Sequence, residues 1–533
     1  MPHISFASPL WYQNIVSING DKAIIETRGL ENKYYFSCSI KTLDCEALAE
    51  APLKETQNTT TTKTSVKFPS NSSRRNISST GRFGFYTKIN TFKKTRTFGI
   101  IDGQKNKQYQ ITNYLSFWNL LDQQPHISRF AQDDSTLTYL DDRSGFMSLY
   151  IVPLNSLSKN SFSLKRITSD VSVGDFMYTD NHTILYVANT KVDPYNWILY
   201  SYDISSKIKI ILAQNIVYDT ILYKSGDSIL FTQLTPLGTQ PMVLKNYKNG
   251  ELKGFDSLMQ TPTNTNTITY TYQKVAGMNT VLMKNTTTST DKHPLIVWLH
   301  GGPYRQVSLK RHPYISYGVY DWMLEEAVNN ADAYVLKIDY PGSYGGGRAF
   351  TENIKGGVGT KDINSVMNVI NDFTKNNTKI NSVYVVGNSY GGYIATKIIS
   401  SYPSKIDGAL SINGVTDWKT LLIYYKNSIF NTLFNGYPSL KNKTLFTLAS
   451  TTNNITKIKN PLYLIHGEAD STIPKSQSIL FKKALDTASK ESTLILIPNE
   501  NHVFLKNSSI NTICKTLFEM THLNVTNSCN LKG

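Results

Sequence analysis

Gly387-Asn388-Ser389-Tyr390-Gly391 lies between an apolar β-rich run, Val383-Tyr384-Val385-Val386, and a helix-like run from Tyr393 to Ile399. A strand, a sharp turn and a helix in that order form the frame of a nucleophile elbow. Glycines flank the serine because the turn is strained and the chains crowd each other, so a Cβ at either place would clash. A serine held there presents its hydroxyl above the sheet, where a histidine can reach it. The pentapeptide alone is a weak signal, and its weight depends on finding an acid, a base and oxyanion donors elsewhere in the chain.

The acid and the base are expected later, in the order Ser, Asp, His. Pro461-Leu462-Tyr463-Leu464-Ile465-His466 reads as a buried strand that leads into Gly467-Glu468-Ala469-Asp470. Ser492-Thr493-Leu494-Ile495-Leu496-Ile497 reads as another strand, ending in Pro498-Asn499-Glu500-Asn501-His502. Between them, Ser476 to Ala488 carries Leu480, Phe481, Ala484, Leu485 and Ala488 in helical periodicity. Ser389, Asp470 and His502 thus each follow a predicted parallel strand, at the sheet edge where chemistry collects. A free serine hydroxyl is a poor nucleophile at neutral pH. His502 would take its proton during attack and return it to the leaving amine, and Asp470 would hold the imidazole tautomer. His466 is a rival base, but its place on the same loop as Asp470 favours a structural role.

Upstream, Pro294-Leu295-Ile296-Val297-Trp298-Leu299 reads as a strand ending in His300-Gly301-Gly302-Pro303. A loop of this kind supplies one oxyanion-hole N–H, here assigned to Gly302 with Gly301 behind it, and Tyr390, after the nucleophile, supplies the other. Two such donors together are typically worth several kcal/mol of barrier. The next strand, Ala333 to Ile338, runs into the glycine-rich stretch from Asp339 to Arg348, which lacks a phosphate-binding G-x-x-x-x-G-K-[ST] pattern.

His300-Gly301-Gly302-Pro303, Asp339 to Arg348, Gly387 to Tyr393, Gly414 to Trp418, His466 to Asp470 and Glu500 to His502 occur in an order that resembles the prolyl oligopeptidase family of serine peptidases. The acylaminoacyl-peptidase and dipeptidyl-peptidase branches are the most similar, and the His300 loop leans toward the former. The resemblance covers about the last half of the chain. It implies a peptidase with a catalytic α/β-hydrolase domain, a mostly parallel sheet flanked by helices, preceded by an all-β propeller that restricts access to short peptide substrates. Asn388 departs from the family, which often has Trp or Gly there. The dipeptidyl branch also carries paired propeller glutamates. The adjacent pair here, Glu325-Glu326, falls between hydrolase strands and reads as a solvated helix face, so no amine clamp is assigned.

The N-terminal half fits such a propeller. Short β runs recur, most plainly from Pro125 to Val152 and, more weakly, from Thr183 to Tyr202, at a spacing of about 40–50 residues that suits a four-stranded blade. The region is short for a seven-bladed ring. Thr56 to Thr80 reads as a polar loop or disordered insert. Thr261 to Thr267 marks the junction, giving domains 1–265 and 266–533, with Ile268, Tyr270 and Tyr272 alternating along the first hydrolase strand.

The 533 residues suffice for two cores, and no stretch approaches the roughly 20 apolar residues of a membrane span. The net charge of +16 comes from scattered lysines without a basic stripe, which argues against nucleic acid. The chemistry needs no metal or other cofactor, and homo-oligomer formation is left open. Met1 to Ile4 lacks signal-peptide character, which points to the cytoplasm. Cys38 with Cys45 and Cys514 with Cys529 could instead pair, favouring a secreted or periplasmic setting. Sequons such as those at Asn71 and Asn442 are frequent in so Asn- and Thr-rich a chain. A carboxylesterase or lipase would share the triad, and a catalytically silent propeller scaffold is the reading from another class.

Overall fold

The computed structural model describes residues 11–524 and 528–531, apart from 29–30, 49–65, 91–92, 94, 115–125, 158–162, 219, 236–237, 245–254, 258–266, 287–291 and 425–428. The strands group as β1–β4 over residues 11–48, β5–β8 over 73–114, β9–β12 over 128–166, β13–β16 over 173–214 and β17–β20 over 223–257. The middle three groups are separate four-stranded sheets, while the first and last share one eight-stranded sheet. Their shared edge is a short parallel pairing of Trp11 with Gly238 and Tyr12 with Thr239, so the first unit meets the fifth. Among the described residues these form five blade-like units, fewer than a seven-bladed ring would need.

Side chains staple neighbouring blades. Asp141 accepts from Arg96 at 3.4 Å and from Asn113 at 2.8 Å, both on the preceding blade. Asp175 pairs with His126 at 3.0 Å and accepts the Leu222 N–H at 3.0 Å, joining three successive blades. Both aspartates are buried, where an ion needs such partners.

The polar stretch 56–80 requires a correction. Ser73–Ile77 is a strand, the first of the second blade, and Val66 packs with Tyr86 and Ile101 in a small core. A strand reading Ser-Arg-Arg-Asn-Ile has no alternating apolar face, so its sequence hides it. Residues 56–65 and the junction at 261–266 lie outside the described residues. The last described blade strand ends at Ser257 and the hydrolase sheet begins with β21 (Ile268–Val275).

The second sheet has the order β21-β22-β24-β23-β25-β26-β27-β28. The strands are β22 (Met278–Asn285), β23 (His293–Leu299), β24 (Tyr334–Ile338), β25 (Ile380–Asn388), β26 (Gly408–Ile412), β27 (Leu462–Gly467) and β28 (Ser492–Ile497). From β24 to β28 every pairing is parallel, and β22 joins β24 antiparallel. The central strands are buried on both faces, as their continuous apolar runs require. Helices Lys361–Asn376, Tyr390–Ser401 and Ser476–Thr487 pack one face, and Ile315–Ala331 and Asn507–Thr521 the other.

Gly391 shows why the elbow constrains sequence. A Cβ there would lie 1.9 Å from the Leu299 carbonyl oxygen on β23. Neither strand nor helix can give way without breaking sheet packing. Gly391→Ala is expected to destabilise by about 3 kcal/mol or more, measured by urea unfolding, and a change below about 1 kcal/mol would contradict this crowding.

Glu325 requires a second correction. It is not on a solvated face: it is buried and takes the Arg311 Nε at 2.8 Å and the Tyr270 hydroxyl at 3.0 Å. Beside it, Lys337 and Asp321 pair at 3.0 Å, also buried. The disulfides Cys38–Cys45 and Cys514–Cys529 are formed. Asn442 is buried, and its amide nitrogen donates to the carbonyls of Phe434, Gly436 and Tyr437, so this sequon is structural in the folded chain. Among the described residues no helix is long and apolar enough to cross a membrane.

Candidate active site

Ser389 sits at the turn between β25 and the helix Tyr390–Ser401, with φ 57 and ψ −116. A non-glycine residue pays for that conformation, and such strain clusters at functional sites. The neighbours leave no slack: a Cβ on Gly387 would lie 2.3 Å from the Gly391 backbone. The Ser389 N–H donates to the Ile412 carbonyl at 2.8 Å, which ties the elbow to the end of β26.

The next residue fastens the histidine loop to the same strand end. Asn413 donates its side-chain amide to the His502 carbonyl at 3.0 Å. Buried Glu500 accepts the Leu505 and Lys506 N–H groups at 3.1 Å each, closing the loop after β28. His502 Nδ1 lies 2.7 Å from Asp470 Oδ2. Facing a carboxylate, Nδ1 carries the proton, which leaves Nε2 as the free acceptor. The other Asp470 oxygen accepts the Thr472 and Ile473 N–H groups at 2.8 Å each. Burial pushes the Asp470 carboxyl up, but hydrogen bonds from His466 and His502 outweigh it and hold it at about 2. Asp470 is therefore a carboxylate throughout the physiological range.

His466, the rival base, is fully buried. Its Nδ1 meets Ser478 Oγ at 2.8 Å and its Nε2 the Ile473 carbonyl at 2.9 Å. Both nitrogens are occupied in shaping the Asp470 loop, as its position predicts.

The candidate oxyanion loop abuts the elbow. A Cβ on Gly301 would stand 3.2 Å from Ser389 Cβ, tighter than an ordinary contact, so a glycine here eases the approach of this backbone to the serine. Gly302 has φ +121 and precedes a cis bond to Pro303. His300 fixes the loop, with Nδ1 2.7 Å from the Gly301 carbonyl and Nε2 2.8 Å from Ser343 Oγ. Asn388, the departure from the family pattern, is buried and donates to the Tyr320 hydroxyl at 3.2 Å. It fills the space beneath the serine with a hydrogen-bonded group.

Tyr390 is anchored in a way its sequence does not disclose. Its hydroxyl donates to buried Asp362 at 2.8 Å, and its ring stacks on Tyr340, which stacks on His300. Burial pushes the Asp362 carboxyl from 3.8 up to about 6, against the opposing hydrogen bond from Tyr390. With its folded value raised, the folded protein holds the extra proton between about pH 4 and 6, so stability falls as pH rises through that window. Asp362→Asn cannot ionise. Its unfolding free energy relative to wild type is expected to improve by about 3 kcal/mol between pH 4 and 7. A difference constant across that range would contradict the buried ionisation.

The propeller reaches this loop directly. The Tyr195 hydroxyl donates to Asp339 at 2.8 Å, and the other Asp339 oxygen accepts the Val307 N–H at 3.0 Å. Gln306 donates to the Pro194 carbonyl at 3.2 Å, and Glu31 accepts the Asn507 N–H at 2.8 Å beyond the histidine loop. These contacts join residues up to several hundred positions apart and have no local sequence signal. Among the described residues, no three His, Cys, Asp or Glu side chains are placed to hold a metal.

A mostly parallel sheet with an elbow serine, facing a propeller, defines an α/β-hydrolase of the propeller-capped kind. Residues 320–521 match the prolyl oligopeptidase family, so the resemblance read from the motifs holds over that part of the C-terminal half. That half is similar to the rice acylamino-acid-releasing enzyme 1, 27% identical over 39% of this chain and 27% of the rice protein. It is also similar to dipeptidyl aminopeptidase BIII of Pseudoxanthomonas mexicana, 28% identical over 40% of this chain and 30% of that protein. The matched segments thus span less than a third of these relatives' lengths. The fold extends further: a Mycobacterium tuberculosis puromycin-hydrolyzing peptidase aligns over 96% of this chain and 79% of its own, with a TM-score of 0.66 at 13% identity.

Proposed function

We propose that the chain is a serine peptidase that cleaves short peptides through an acyl-enzyme, with residues 1–265 as gating domain and 266–533 as catalytic domain. The observation that carries this is the Asp470–His502 pair, fastened to the same strand end as the elbow serine. Ser389 attacks the scissile carbonyl while His502 Nε2 accepts its proton. The backbone N–H groups of Tyr390 and the Gly301-Gly302 loop stabilise the oxyanion, and His502 returns the proton to the leaving amine. Water then repeats the sequence on the acyl-enzyme. Asp470 stays ionised and keeps the imidazole oriented.

A propeller hydrogen-bonded to the loop beside the oxyanion hole supports peptides over bulky substrates. The relatives' names point to acylated or free peptide N-termini as the group recognised. The two disulfides favour an oxidising compartment. Incubation with a mixed peptide library bearing free and acetylated N-termini tests the reading. Cleavage is expected for short members of one class or both. Hydrolysis of p-nitrophenyl esters alone would make the chain an esterase.

A further inference from the structure

One buried carboxylate holds both ends of the candidate oxyanion loop. Asp339 Oδ1 accepts the Val307 N–H at 3.0 Å and lies 3.4 Å from His300 Nε2, so residues 300–307 close on a single oxygen. The Asp339 backbone is itself fixed, because its N–H donates to the Asn279 carbonyl at 3.0 Å. Within the loop, His300 Nδ1 meets the Gly301 carbonyl at 2.7 Å, and Gly301 abuts Ser389. The second oxygen of Asp339 belongs to the propeller: the Tyr195 hydroxyl donates to Oδ2 at 2.8 Å. The preceding propeller residue grips the same loop, with the Pro194 carbonyl accepting from Gln306 Nε2 at 3.2 Å. Asp339, His300 and Tyr195 are all buried.

A buried carboxylate oxygen that loses its donor has no water to turn to, so the group shifts toward the donors that remain. Here those donors are the two ends of the loop that carries Gly301 and Gly302. Oxyanion donors work by placement, and a displacement of about 1 Å can cost about 10²-fold in rate. Resting on the peptidase reading of this site, we infer that the propeller segment Pro194-Tyr195 is a positioning element of the catalytic centre. Through Asp339 and Gln306 it holds the oxyanion loop against Ser389, so the chemical step itself depends on the seated propeller. A gate would act only on substrates large enough to be excluded. This device acts on every acyl substrate.

Tyr195→Phe removes the hydroxyl and keeps the ring, which packs edge-on against Tyr272 at 5.6 Å. Turnover is compared on a short peptide and on p-nitrophenyl acetate, an ester too small to need admission. In Tyr195→Phe, kcat is expected to fall about tenfold or more on both substrates, with KM within about twofold of wild type. A peptide aldehyde, whose hemiacetal puts an oxyanion in the hole, is expected to bind more weakly by a like factor. An unchanged ester kcat, or a loss confined to the peptide or to KM, overturns the inference. Gln306→Met cuts the neighbouring bond to Pro194 and is expected to lower ester kcat at least about threefold. It carries the test should Tyr195→Phe fail to fold, and unchanged ester turnover there overturns the inference as well. Ester turnover without peptide cleavage in the wild type would overturn the peptidase reading alone, since the ester comparison still decides the role of the propeller segment. A wild type inert toward both substrates overturns both.

Discussion

Ser389→Ala is expected to lower peptide turnover by about 10⁶-fold while leaving the fold intact. The loss is large because, in the proposed mechanism, the hydroxyl oxygen is the atom that forms the acyl bond. The fold survives because the elbow is built by its surroundings. The Ser389 N–H to Ile412 bond is a backbone bond, and the crowding falls on Gly387 and Gly391, not on the serine side chain. Circular dichroism and urea unfolding should match wild type within about 1 kcal/mol. Persistent hydrolysis in this variant would remove the assigned role.

Asp470→Asn is expected to lower kcat by about 10⁴-fold, with KM changed little. The 2.7 Å contact to His502 Nδ1 sets which imidazole nitrogen holds the proton. An amide can donate there instead of accepting, and the wrong tautomer places a proton on the nitrogen that must act as base. The pH dependence separates this group from the histidine. Asp470 is held at about 2, below its ordinary 3.8. With its folded value depressed, its contribution to stability is complete above about pH 4 and is lost as pH falls toward 2. An acid limb of the rate profile above pH 4 therefore does not report Asp470. A kcat within tenfold of wild type in the amide variant would contradict the orienting role.

The C-terminal half was legible because its determinants are local. Strand, glycine-flanked turn and helix are contiguous in residues 383–399, and each candidate side chain follows an apolar strand within a few positions. What stayed hidden depends on distant pairing. Glu325 looks solvated until Arg311, from the loop before its helix, is seen buried against it. Asp362 supports Tyr390 across two helices, and Tyr195 reaches Asp339 from another domain. The strand Ser73–Ile77 lacks an apolar alternation because its backbone pairing with the next strand, not an apolar face, defines it. Blade number likewise rests on the Trp11–Gly238 edge, a contact between the two ends of the propeller.

The central claim is that Ser389 is an activated nucleophile. A fluorophosphonate probe applied to the folded wild-type protein, followed by peptide mapping, tests it most directly. The account predicts one covalent adduct, on Ser389, that forms far more slowly in His502→Ala. No adduct on the folded protein, or an adduct on a different residue, would contradict it.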